Sequence, residues 1–210
     1  MTLPPDGPTA ARPVLVTGAS GFIGEHLTRR LVRSGHVAAG EVVGAWHTRP
    51  VEVPGARLQQ LDLTDAAAVD RWIADTAPRA IVHTAAMTAV DQCRQDPDGA
   101  RAAIVNATEN LAAAAARHVP DAVFIVTSTD LVFDGDQAPY RVGDPPQPTS
   151  VYGRLKLAAE APVLAMARGV VVRPALVYGA PTTHKGSFLG WMVAALRASR
   201  PLDLFEDEFR

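Results

Sequence analysis

At 210 residues, 48% of them hydrophobic and 20% charged, the chain is long enough for one hydrophobic core, and one globular domain is the default. The formal net charge of -2, with acidic and basic residues interspersed, leaves no electrostatic footprint for nucleic acid or an anionic membrane surface and favours small-molecule chemistry. No stretch approaches the roughly 18 apolar residues that cross a bilayer, and the N-terminus lacks the apolar run of a signal peptide, so the reading is cytoplasmic.

Residues 1–13, rich in Pro, Thr and Gly, read as a flexible tail. Short β-branched apolar runs follow at 14–17, 42–46, 57–61, 80–84, 122–127 and 169–173. Several are apolar almost throughout, as strands covered on both faces of a parallel sheet must be. Helical stripes separate them: Phe22, Ile23, Leu27 and Leu31, then Val69, Trp72, Ile73 and Thr76, with Thr64 or Asp65 as cap and Pro78 beyond the end. Strand and helix alternate, which predicts an α/β doubly wound parallel sheet, a Rossmann architecture. Residues 134–150 hold two glycines and four prolines and read as a surface loop. A last amphipathic helix is expected over 185–200, with Phe188, Leu189, Met192, Val193 and Leu196 on its apolar face. Trp46, Trp72 and Trp191 are expected in the core or at its edge.

Cys93 is the only cysteine, so no internal disulfide can form. The six histidines show no metal-ligand spacing, and no metal site is expected.

The chemistry begins at residues 17–24 (TGASGFIG), where three glycines at spacing three follow a predicted strand and open a predicted helix. Gly18 permits the tight turn, Gly21 lets the backbone approach a pyrophosphate, and Gly24 lets helix and strand pack closely; Ser20, Phe22 and Ile23 belong to the same anion-facing turn. A dinucleotide fold that takes NAD places an acid at the end of the second strand, about 20 positions on, to hold the ribose 2′-hydroxyl. Here that end reads Trp46-His47-Thr48-Arg49, without a carboxylate. Arg49, with His47, suits the extra phosphate of NADP, which is favoured, while NAD stays open.

Tyr152 and Lys156 stand four apart, on one face of a helix. A free phenol has a pKa of about 10, too high for exchange at neutral pH, and a fixed ammonium beside it is expected to lower it. Upstream, Thr129 closes a predicted strand, at the carboxyl edge where open α/β sheets bind ligands, and could hold a substrate carbonyl.

Taken together, the glycine turn, the strand-end Thr129 and the YxxxK pair resemble the extended short-chain dehydrogenase/reductase family. Within it the chain looks most like dTDP-4-dehydrorhamnose reductases and related sugar-nucleotide-binding proteins, through residues 83–91 (HTAAMTAVD), 105–107 (VNA), 128–135 (STDLVFDG), 151–160 (VYGRLKLAAE) and 173–179 (RPALVYG). The resemblance implies that Tyr152 protonates the C4 oxygen of a nucleotide-linked 4-keto-deoxysugar during reduction by NADPH, that Lys156 binds the nicotinamide ribose and that Thr129 steadies the carbonyl. It further implies that Asp62 and Leu63 sit near the adenine, that Ala85 and Ala86 line the pyrophosphate and ribose, that Pro174 borders the nicotinamide, and that Asp130 and Leu176 face the sugar. Asp62 could equally cap a helix.

Two departures stand out. Rhamnose reductases commonly carry a tryptophan where this chain has Leu176, so the sugar is open. Residues 204–210 resemble the start of the family's C-terminal substrate lobe, so the expectation is a Rossmann domain over 14–210 with that lobe beginning near 180–210 and truncated or absent. Asp130 is followed by Leu131 and not by a second acid, which disfavours a dehydratase. A non-catalytic dinucleotide-binding regulatory protein, a truncated remnant and a sugar-nucleotide epimerase are the competing readings. A homodimer is compatible with the sequence.

Overall fold

Six short runs, all but the third mostly apolar on both faces, form one parallel sheet: Val14–Thr17 (β1), Val42–Trp46 (β2), Ala56–Gln60 (β3), Ala80–His83 (β4), Val123–Thr127 (β5) and Gly169–Val172 (β6). The computed structural model describes residues 12–38 and 40–202; the rest of the expected N-terminal tail, and residues 204–210, lie outside the described residues. The strand order is β3-β2-β1-β4-β5-β6, all neighbours parallel. This is the expected doubly wound sheet.

Successive residues point to opposite faces. Leu15, Val43, Ile81 and Phe124 bury against the helices Ala66–Thr76 (α2) and Ala107–His118 (α5), through Val69, Trp72, Ile73, Leu111 and Ala115. Their neighbours Val14, Val42 and Val82 pack with Leu31 and Val32 of Phe22–Ser34 (α1) on the other face. Each fully buried aliphatic or aromatic side chain contributes roughly 1.5–3 kcal/mol relative to exposure.

Strand boundaries differ from expectation by single residues, most visibly at β3, which starts at Ala56 and leaves Arg57, Gln59 and Gln60 exposed. β3 lies at the sheet edge, where one face and one backbone side meet water, so its apolar signal is weak. Asp65, not Thr64, caps α2, accepting the Ala68 amide at 2.9 Å. Between β4 and β5 the chain forms two short helices, Val90–Gln95 (α3) and Pro97–Arg101 (α4), and a π-helical turn, Ala102–Asn106, that leads into α5. Val151–Leu164 (α6) follows the loop at 134–150, which contains neither helix nor strand.

The last helix, Phe188–Arg197 (α7), is shorter than expected and its apolar face is open. Phe188, Leu189, Trp191 and Leu196 are exposed and only Ala195 is buried, so Trp191 is not a core residue. No described strand or helix packs over that face. Among the described residues no helix is long and apolar enough to cross a membrane.

Candidate active site

The strand order reverses between β1 and β4, and the carboxyl ends of strands at such a switch point bound a crevice. A cavity of about 750 Å³ opens there. Its lining includes Gly18, Ser20, Gly21, Phe22, Ile23, Gly24, His47, Arg49, Asp62, Leu63, Ala85 and Ala86, every residue expected there from β1 to β4.

The glycine turn is built by close approach. Gly18 has φ 68°, and a Cβ on it would stand 2.7 Å from the Ala85 amide nitrogen. A Cβ on Gly24 would lie 2.1 Å from the Gly18 carbonyl oxygen. Gly21 is the N-cap of α1 and supplies no side-chain cap. The first amides of a helix have no intrahelical partner, so this N-terminus faces the cavity as a ready anion site, and the turn fits the pyrophosphate of a dinucleotide.

At the β2 end, Arg49 Nη1 donates to the His184 carbonyl at 3.1 Å, and His47 Nε2 stands 3.8 Å from Asp62 Oδ2. Asp62 does not cap a helix. It accepts from the Thr64 amide and hydroxyl at 2.9 and 2.7 Å, and these bonds hold its carboxyl below the usual range.

Residues 179–187 cross the rim of the cavity as a strap fixed at both sides. Burial pushes the Glu25 carboxyl up, but bonds from Thr183 and Arg29 outweigh it and leave it below its ordinary value. Thr183 reaches Glu25 through its hydroxyl at 2.7 Å and its amide at 3.0 Å. His26 Nε2 donates to the Ala180 carbonyl at 2.9 Å and His184 Nε2 to the Pro50 carbonyl at 2.6 Å.

Ser150 caps α6, accepting the Gly153 amide at 2.9 Å, and so fixes the turn that carries Tyr152 and Lys156, both buried. Tyr152 belongs to a buried cluster with Cys93, Ile104 and Ala159, against which Ala86 and Met87 of the cavity lining pack. Lys156 Nζ donates to the Thr127 carbonyl at 2.6 Å, at the carboxyl end of β5. Burial lowers its pKa to about 8, against the pull of Glu160.

The expectation of a depressed phenol does not hold here: burial, followed by Cys93 and Asp130, pushes the Tyr152 pKa above its ordinary value. The Lys156 ammonium is turned onto a carbonyl instead of lowering it. Thr129 is also buried and donates to Asp130 Oδ1 at 3.1 Å, while the Asp130 amide donates to the Pro174 carbonyl at 3.1 Å. Thr129, Asp130, Tyr152, Lys156, Pro174 and Leu176 are not among the residues lining the cavity, and Leu176 is 54% exposed.

Two buried groups behind the site have no role in the sequence reading. Glu160, one helical turn after Lys156, accepts from the Ser128 hydroxyl and from Arg173 Nε and Nη2 at 2.9 and 2.6 Å. Arg173 in turn lies over the Phe133 ring, 5.2 Å from its centroid. His83, its pKa lowered to about 3 by burial and then by the Lys156 charge, stays neutral. Thr108 donates to the Ile104 carbonyl, so His83 Nε2 donates to Thr108 and Nδ1 accepts from Thr17, while Thr17 Oγ1 accepts the Ala85 amide at 3.4 Å. That chain ties β1, β4 and α5 together under the glycine turn. The Ser128–Glu160–Arg173 clamp leaves no local signal in the sequence, since its members stand 13 or more positions apart, and the strap has none because its bonds to other segments span more than 130.

A family model described as RmlD substrate binding domain matches residues 12–210. The chain is 40% identical over 169 residues to a dTDP-4-dehydrorhamnose reductase of Streptomyces griseus, covering 79% of this chain and 50% of that protein. It is 38% identical over 169 residues to methionine adenosyltransferase 2 subunit beta of Pongo abelii, covering 80% of this chain and 48% of that one. The crystal structure of a dTDP-4-dehydrorhamnose reductase from Bacillus anthracis in complex with NADP matches with TM-score 0.72 at 25% identity, covering 92% of this chain and 62% of that one. The chain thus spans about half the length of these two sequence relatives.

Proposed function

Because the chain belongs to the RmlD substrate binding domain family, we propose that it is an NADPH-dependent reductase of a nucleotide-linked 4-keto-deoxysugar, acting in the cytoplasm. The observation that carries this reading is one fold edge holding both an uncapped helix N-terminus behind a glycine turn and, across the switch point, a buried Tyr152/Lys156 pair. The same reading takes residues 14–210 as the dinucleotide-binding domain, with a substrate lobe starting near 180–210.

When bound, the cofactor supplies a hydride to C4 of the sugar. The chain's own residues do the rest. Gly18, Ser20, Gly21, Phe22, Ile23 and Gly24 hold the pyrophosphate, Leu63 and Asp62 the adenosine, and Ala85, Ala86 and Pro174 border the ribose and nicotinamide. Tyr152 delivers its proton to the C4 oxygen as negative charge develops there. The raised pKa keeps the phenol protonated at neutral pH but makes it a weaker acid, so the transfer depends on the charge that develops on the C4 oxygen. With cofactor and substrate bound, Lys156 would turn its ammonium from the Thr127 carbonyl to the nicotinamide ribose, and Thr129 its hydroxyl from Asp130 to the substrate carbonyl. Asp130 and Leu176 stand toward the sugar.

The glycine geometry gives one expected result. Gly24→Ala forces the turn open against the Gly18 carbonyl and costs roughly 1–3 kcal/mol of stability. NADPH affinity measured by calorimetry should fall at least about tenfold in the same variant; unchanged affinity would remove the turn from the site.

Lys156 gives another. Its ammonium is lost as pH rises through about 8, whereas the Tyr152 proton is held to higher pH. The pH profile of kcat/KM, which reports the free enzyme, should be flat at neutrality and decline with an apparent pKa near 8. Lys156→Arg keeps a permanent charge, so the alkaline decline should disappear from its residual activity; a decline unchanged in that variant would assign it to another group.

A second reading, a non-catalytic dinucleotide-binding subunit, is favoured by the similarity to methionine adenosyltransferase 2 subunit beta. It predicts NADPH binding with no keto-sugar reduction.

A further inference from the structure

The chain contains only two lysines, Lys156 in α6 and Lys185 in the strap. Lys185 lines the cavity together with His47, Thr48, Arg49 and Asp62. Its place is fixed by its neighbours: Thr183 is bonded to Glu25 on α1, His184 is bonded twice to the segment that follows β2, its carbonyl accepting from Arg49 Nη1 and its Nε2 donating to the Pro50 carbonyl, and the Thr182 amide donates to the Lys185 carbonyl at 2.9 Å. A residue remote in sequence is therefore delivered to the end of β2.

The charge count there explains why it matters. Without the strap the rim carries Arg49 and the carboxylate of Asp62, which cancel, and His47, which stands beside that carboxylate. A dianionic phosphate gains little from such a rim, since Asp62 repels what Arg49 attracts. Lys185 tips the balance to net positive.

We propose that Lys185, with Arg49, forms the site for the ribose 2′-phosphate of NADP, so that the strap, and not the β2 end alone, sets the preference for NADP over NAD. This rests on the reading of the cavity as a dinucleotide site. The two lysine head groups differ in kind: Lys156 is buried and bonded to a carbonyl, whereas Lys185 is exposed at the rim, where an ammonium acts as a mobile point charge toward phosphate.

The test uses the full chain. Dissociation constants for NADPH and NADH are measured calorimetrically for the wild type, Lys185→Ala, Lys185→Arg and Arg49→Ala. Lys185→Ala should weaken NADPH about three- to fivefold and leave NADH unchanged within about 1.5-fold, the size expected of one exposed ion pair to phosphate. Lys185→Arg should restore most of the NADPH affinity. Independently, with 13C-labelled lysine, the Lys185 Cε resonance should shift on adding 2′,5′-ADP and stay in place with 5′-AMP. Equal weakening of both dinucleotides, no weakening of either, or an unmoved Lys185 resonance overturns the proposal. If the wild type binds neither dinucleotide, the reading of the cavity itself fails, a separate outcome visible before any variant is made.

Discussion

Tyr152→Phe should lose NADPH oxidation with a dTDP-4-keto sugar by about 10²–10⁴-fold while NADPH binding stays within about twofold. The change removes one hydroxyl from a ring that is 8% exposed and anchored by Cys93, Ile104 and Ala159, so the packing that holds Ala86 and Met87 beside the cavity survives. In the proposed mechanism, what disappears is the proton for the C4 oxygen. Water can supply a proton only from a less favourable position, which is why the effect falls on kcat. A variant with wild-type turnover would move the proton donor elsewhere, with Thr129 the next hydroxyl to test.

Arg173→Ala should destabilise the fold by about 3 kcal/mol, read from urea denaturation. Glu160 has a side-chain exposure of 2% and Arg173 of 26%, so removing the guanidinium leaves a carboxylate away from water with the Ser128 hydroxyl as its remaining side-chain partner. The partial exposure of Arg173 places the effect toward the lower end of what broken buried pairs cost. The paired change Arg173→Met with Glu160→Leu should recover most of the loss, since burying neither charge avoids the desolvation of both. A loss below about 1 kcal/mol in Arg173→Ala would mean that water reaches Glu160 in the folded state. Ser128 precedes Thr129, and Arg173 precedes Pro174, so the clamp also sets the carboxyl ends of β5 and β6 against α6.

The parts of this architecture readable from sequence are those written in local patterns. β1, β2 and β5 are strands buried on both sides and show as unbroken apolar runs, whereas β3, at the edge, exposes Arg57, Gln59 and Gln60 and is displaced by one residue. The glycine turn and the Tyr152/Lys156 spacing are likewise local, and the residues expected around the cavity from Gly18 to Ala86 do line it.

What was not legible depends on contacts between distant segments. Glu160 and Arg173 meet across 13 positions from a helix to the residue after β6, and Glu25 meets Thr183 across 158. No periodicity announces either. The direction of the Tyr152 shift is not legible for a related reason: the spacing places an ammonium one turn away but does not say that the Thr127 carbonyl captures it. The apolar residues of α7 were visible, but a hydrophobic face in sequence does not specify what covers it, and this one is open.

In the proposed reaction, hydride passes from NADPH to a sugar carbonyl on this chain. The direct measurement is incubation with stereospecifically 4-deuterated NADPH and a dTDP-4-keto-6-deoxysugar, followed by NMR of the sugar. Deuterium at C4 of a newly formed alcohol, absent with Tyr152→Phe, is the result expected. NADPH bound by the wild-type chain with no deuterium transferred to the sugar would contradict the reductase reading and leave the binding-subunit reading in its place.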